Sequence, residues 1–164
     1  MRVLWVVSAP VYKPESKKSN SVREGWIQGA LKVMTDNTSI EFIIVYPQKR
    51  TSPCDEYIDA GVQYCGFYAD VNTVVYERKS EKQLYEIFQR YFPDIIHIWG
   101  TERIYSLAAV NAAESLGVLE HVVISIQGLC SVLANNFTTG IPERYRKGFS
   151  IPELGKRTSL NCQS

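Results

Sequence analysis

Apolar and amphipathic segments alternate along the chain from its first residues. Val3 to Val7 is an unbroken apolar run that reads as a buried strand, and a polar loop over 9–20 holding Pro10 and Pro14 follows it. The spacing predicts a helix over 22–35, opened by a Ser21/Glu24 capping box, with Trp26, Ile27, Ala30, Leu31, Val33 and Met34 as its apolar stripe. Residues 40–46 read as a β-branched second strand bounded by Pro47, and 61–68 as a third that alternates only in part.

The second half repeats the alternation. Ser80 and Gln83 form another capping box ahead of Leu84, Ile87, Phe88, Tyr91 and Phe92, which fall at helical spacing until Pro93 stops them. A strand over 94–99 breaks at Gly100. Thr101 then caps a helix of small residues that runs through Ala108, Ala112 and Ala113 to Gly117. Residues 121–126 form a fifth strand closed by Gly128, and a last helical segment is expected over 131–137. Strands that are apolar throughout and separated by helices need cover on both faces. With right-handed crossovers this predicts an α/β fold: a doubly wound, Rossmann-like parallel sheet of about five or more strands, in the order 3-2-1-4-5. The 164 residues suit one domain over 1–150, with 151–164 as a tail or the start of a linker.

Charge and cysteine usage narrow the function classes. A net charge of +1 lacks the clustered positive field that duplex recognition needs, so no nucleic-acid partner is expected. Cys54, Cys65, Cys130 and Cys162 contain no CxxC pair, and His97 and His121 complete no zinc set, so no metal site is expected. The N-terminal apolar run is too short for a signal peptide or a membrane span. The expectation is a cytoplasmic protein with reduced thiols. The basic runs Lys17-Lys18 and Arg144-Tyr145-Arg146-Lys147 are solvated faces or contacts to phosphate or anionic lipid, the latter implying peripheral attachment at the inner face of the membrane.

In an open α/β sheet, ligands bind beyond the carboxyl ends of the strands, where the strand order reverses. That rule selects the loops after the first, fourth and fifth strands. The first lacks both GxGxxG and the P-loop pattern, which argues against a dinucleotide dehydrogenase or an NTPase. It offers Tyr12 and Asn20 ahead of a helix N-terminus, where backbone N–H groups favour anions. Trp99, Thr101 and Glu102 turn from strand to helix at the same edge, and Gln127 and Gly128 end the fifth strand. Gly25 and Gly29 disfavour their helix, for which close packing on the sheet or close approach of a ligand to the backbone is the reason. His97, inside a strand, reads as a hydrogen-bonded core histidine. Cys130 has no histidine placed to activate it.

Three segments in order carry a resemblance. Met1-Arg2-Val3-Leu4-Trp5-Val6-Val7-Ser8, the stretch Phe92 to Glu102 containing "PDIIHIWG", and Val122 to Leu129 containing "VISIQG" resemble the N-terminal half of GT-B glycosyltransferases of the family-four, retaining type. The resemblance covers roughly 1–145. It implies a two-domain bacterial enzyme of surface polysaccharide or glycolipid synthesis, whose N-terminal domain holds a glycan or glycolipid acceptor. A C-terminal domain, missing from these residues, would grip a nucleotide-sugar donor, and neither metal nor further cofactor is implied. The isolated domain would be inactive, with Glu102, Gln127 and the Gly128 backbone orienting hydroxyl groups. Gln127 stands where the family commonly has a histidine, so proton transfer does not carry over to it. The rival reading is a standalone flavodoxin-like or receiver-like binding module. It lacks the acidic cluster after the first strand and the Ser/Thr-rich phosphate loop that those modules carry.

Overall fold

A computed structural model describes residues 1–14, 16, 25–37, 39–49, 53–73, 75–126, 132 and 139–140 of the chain. The chain divides into two compact units, Met1–Ser125 and Ile126–Ser164. Among the described residues the first unit carries β1 (Arg2–Val6), α1 (Gly25–Asn37), β2 (Glu41–Gln48), β3 (Glu56–Asp59), β4 (Val62–Tyr68), α2 (Arg78–Tyr91), β5 (Ile95–Trp99), α3 (Ile104–Leu116) and β6 (Val122–Ser125). The Ser21/Glu24 capping box lies outside the described residues, and so does the helix expected over 131–137, apart from Val132.

One sheet holds all six strands in the order β3-β4-β2-β1-β5-β6. Every pairing is parallel except β3 with β4. The expected order 3-2-1-4-5 is therefore present, extended at one edge by a strand the pattern did not show. This is a doubly wound α/β fold.

Alternate residues of each strand feed two cores. Leu4, Val6, Ile43, Val45, Phe67, Ile96 and Ile98 pack under α2 and α3, against Leu84, Phe88, Tyr105 and the alanines of α3. Val3, Trp5, Phe42, Ile44, Tyr46 and Tyr64 pack under α1, against Ile27 and Leu31. The small side chains at Ala108, Ala109, Ala112 and Ala113 are all buried, which lets α3 sit close to the sheet.

Several local expectations are corrected. Trp26 and Val33 are 58% and 61% exposed, so the buried stripe of α1 narrows to Ile27 and Leu31, with Ala30 and Met34 at its margins. A Cβ built on Gly25 or Gly29 meets nothing within 4 Å, so close packing on the sheet does not explain either glycine. α2 starts two residues before Ser80, at Arg78, and Glu77 is its N-cap residue. Ser80 and Gln83 form no capping box because another backbone claims them. Ser80 Oγ donates to the Tyr68 carbonyl at 3.0 Å, and the Tyr68 N–H donates to Gln83 Oε1 at 3.0 Å. Two polar groups at the end of β4 are thereby satisfied by helix side chains.

Phe92 is 70% exposed rather than core, since it closes α2 in the left-handed conformation (φ 46°) and its ring turns outward ahead of Pro93. Thr101 does not cap the next helix; Arg103 is the N-cap residue of α3, and Thr101 sits exposed in the preceding bend. His121 belongs to a short 3₁₀ turn, Leu119–His121, so β6 begins one residue later than expected.

The extra strand β3 joins β4 through Ala60 and Gly61, both at positive φ (48° and 78°), with Asp59 opposite Val62. A two-residue turn of this hand matches the twist of the strands but suits Asn-Gly better than Ala-Gly. Glu56 holds the hairpin to α2, accepting from Arg90 Nη1 at 2.9 Å and Tyr91 Oη at 2.7 Å.

Two stability measurements check this architecture. Phe88→Ala, at a fully buried site, is expected to lower unfolding stability by about 3–5 kcal/mol in urea melts. A loss under about 1 kcal/mol would place α2 at the periphery. Ala60→Asn relieves a left-handed alanine and is expected to raise stability by about 1 kcal/mol.

Candidate functional site

An open hollow of about 630 Å³ lies at the carboxyl ends of the parallel strands. Ser8 follows β1, Pro47 and Gln48 finish β2 with Lys49 just beyond, Ala69 to Asn72 follow β4, and Glu77 sits at the head of α2. Ala69, Asp70 and Glu77 also line a small adjoining space that reaches Tyr105 and Ala108 of α3. The hollow thus opens on the α2 side of the sheet.

Local chemistry shapes its walls. The Gln48 side chain lies across Gly66, where a Cβ would come within 1.8 Å of its Oε1. Glycine at this strand position makes room for the amide, and Gln48 Oε1 accepts the Asp55 N–H at 2.8 Å. Asp70 builds its own turn: its Oδ1 accepts the Asn72 N–H at 2.9 Å, and its carbonyl accepts the Thr73 N–H at 3.2 Å. Across the turn, Arg103 Nη1 donates to the Val71 carbonyl at 2.6 Å. The lining therefore presents carboxylates, amides, one hydroxyl and one ammonium, with Pro47, Ala69 and Val71 supplying apolar surface.

The residues singled out from the sequence fall elsewhere. Tyr12 lies on the α1 side, its ring tilted against Tyr64 and its hydroxyl 2.7 Å from that of Tyr57. Trp99 ends β5 within an aromatic file: its ring meets Trp5 and Trp26 edge-on at 5.1 and 5.0 Å and stacks on His97 at 4.1 Å. Its buried indole N–H has no hydrogen-bond partner among the described residues. Gly100 follows at φ 96°, a conformation that favours glycine, and donates to the Ser125 carbonyl at 2.8 Å. Thr101 is exposed and Glu102 half-buried in the bend beyond. Asn20, Gln127 and Gly128 lie outside the described residues. So do Cys130 and both basic runs. Trp99, Thr101 and Glu102 are held together by chain continuity, and neither they nor Tyr12 line the hollow.

Gln48, Lys49, Asp70, Asn72 and Glu77 were missed by the sequence reading. The signal that finds them is the same carboxyl-end rule, applied to the strands beside β1 as well as to the switch point. Among the described residues, no group of three or more His, Cys, Asp or Glu side chains is placed to hold a metal ion. No helix among them is long and apolar enough to cross a membrane.

His97 is a core histidine, as its strand position suggested. Its Nε2 lies 2.7 Å from Ser125 Oγ, tying β5 to β6, and burial lowers its pKa from the ordinary 6.5. In the unfolded chain the imidazole takes up a proton near pH 6.5, whereas the folded chain resists it until lower pH. The contribution of His97 to stability is complete above the unfolded pKa and is lost as pH falls through the folded one. Urea melts between pH 7.5 and 5.5 are therefore expected to show a decline that His97→Asn flattens. An unchanged slope in the variant would assign the decline to other groups.

The reading of this site rests on the chain's own residues: no protein-family model matches the chain, and no curated protein is significantly similar to it.

Proposed function

We propose that this chain is the acceptor-binding domain of a retaining glycosyltransferase of GT-B type, acting on a glycan or glycolipid acceptor. The observation that carries the reading is the hollow of about 630 Å³, rich in carboxylate and amide groups, at the carboxyl ends of β1, β2 and β4. Ligand pockets commonly span about 300–1,000 Å³ and mix apolar surface with a few fixed polar groups. Carboxylates accept from sugar hydroxyls, while amides both donate and accept. Two of the segments that resemble the family reach the same edge: the first contains β1 and ends at Ser8, and the second contains β5 and the turn at Gly100.

In this reading the nucleotide-sugar donor is held by a second domain, and the acceptor hydroxyl is aimed at it from this one. The contribution of these residues is positioning. Glu102, at the switch in strand order, orients hydroxyl groups from the β5 side. Attachment at the inner face of the membrane, through the basic runs, belongs to the same proposal and suits a glycolipid acceptor.

Titrating the ¹⁵N-labelled chain with a panel of free mono- and oligosaccharides, neutral and phosphorylated, tests the reading. Saturable amide shifts are expected at Gln48, Lys49, Asp70, Val71 and Asn72, with no turnover of a UDP-, GDP- or ADP-sugar above a heat-killed control. A panel in which no saccharide shifts these amides would overturn it, and so would turnover by the chain alone.

A further inference from the structure

We propose that the β3–β4 hairpin positions the walls of the hollow from outside it, with Tyr57 holding the loop after β1 through Tyr12. This rests on the proposed function for what the hollow binds, but not for the hairpin's hold on the loop.

A doubly wound sheet does not need an antiparallel strand at its edge, yet the β3 segment reaches two walls of the hollow. Asp55, just ahead of β3, reaches the first. Its N–H donates to Gln48 Oε1 at 2.8 Å, and its Oδ2 accepts from Tyr46 Oη at 2.9 Å. Gln48 lines the hollow. Tyr57 reaches the second. Its ring stacks on Tyr64 with centroids 5.1 Å and planes 14° apart, and its hydroxyl lies 2.7 Å from that of Tyr12.

Tyr12 belongs to the loop that leaves β1 through Ser8, and that stretch is anchored at both ends. At its start the Val7 N–H donates to the Val45 carbonyl at 2.9 Å. At its far end Tyr64 Oη donates to the Val11 carbonyl at 2.9 Å, and Gln28 Nε2 donates to the Tyr12 carbonyl at 2.8 Å. The Tyr12 ring also tilts against Tyr64. Ser8 lies between these anchors and lines the hollow. The hydroxyl pair of Tyr12 and Tyr57 is the anchor that β3 supplies. Both residues are half-buried, where a hydrogen bond holds better than at the open surface. Tyr12 thus acts on the site along the chain, through Ser8, and Tyr57 acts through Tyr12.

Tyr57→Phe removes the link to the loop and keeps the ring that packs on Tyr64. In the ¹⁵N-labelled variant we expect the backbone order parameters of Val11, Tyr12 and Lys13 to fall below their wild-type values. The Ser8 amide signal should shift, while β5 and α3 stay rigid and the urea midpoint barely moves. Tyr12→Phe should do the same. The double variant should go no further than either single one, because the two hydroxyls act as one link. Ile58→Thr, on the same strand but 72% exposed, is the control and should leave the loop unchanged. In the saccharide titrations, Tyr57→Phe should weaken binding about three- to tenfold, the effect of one ordinary hydrogen bond. Tyr57 itself does not line the hollow.

An unchanged loop in both single variants would overturn the inference, and so would additive effects in the double variant. Loosening that spreads equally to β5 and α3 would do so too, since it marks a hydroxyl pair that serves stability alone. Saccharide binding unaltered in variants whose loop has loosened would overturn the positioning role and leave a carbohydrate site in place. If no saccharide binds the wild-type chain, the carbohydrate reading falls, and the loop dynamics and the Ser8 shift decide the hairpin's hold by themselves.

Discussion

The structure depends on the burial of β1 from both sides. Leu4, Trp5, Val6 and Val7 are at most 1% exposed, and they point alternately to opposite faces of the sheet. A parallel strand in that position cannot face water, so each face needs a helix. α1 supplies one and the α2–α3 pair the other. To place helices on both faces, the chain runs outward from β1 through β2 to β4 and then returns to β5 on the far side. Reversal of strand order beside β1 follows from its hydrophobicity. So does the gathering of strand-end loops along one edge.

That edge carries two chemically different regions. On the α2 side, polar loops after β2 and β4 frame a hollow whose walls are set by backbone needs: Gln48 lies over a glycine, and Asp70 closes an Asx turn. On the α1 side, tryptophans and His97 stack from the core toward Trp26 at the surface. Helix α2 serves fold and site together. Its Ser80 and Gln83 satisfy the end of β4, while Glu77, one turn earlier, faces the cavity. Contacts to the sheet and lining of the hollow come from different residues of this turn, so substitutions separate the two.

Much of the fold was legible in the sequence because its signals are collective. Five apolar runs, separated by helical periodicity, fix a parallel sheet and its order without reference to any single contact. Hairpin strand β3 escaped because it is short and at an edge: Glu56 and Ile58 point to solvent, so Glu56–Asp59 carries no apolar pattern to read. The capping box at Ser80 misled for a different reason. Ser80 and Gln83 have the right spacing, but the backbone N–H and C=O of Tyr68 compete for the same side chains and win. Site residues were the least legible. Topology named an edge, but which loops along it enclose space depends on where α2 begins, and that boundary was placed three residues late.

The register of the central strands limits what a ligand at this edge can touch. Val6 pairs with Ile98, so the loops that follow β1 and β5 leave neighbouring strands at one edge. Ser8 also belongs to the hollow. It thus joins the α2-side hollow to the end of β1, the strand beside β5. A single ring seated among Asp70, Asn72 and Glu77 leaves the β5 turn free, whereas a ligand engaging both must extend across the end of β1. The two groups of loops are thus separate, and the strand between them is buried on both faces.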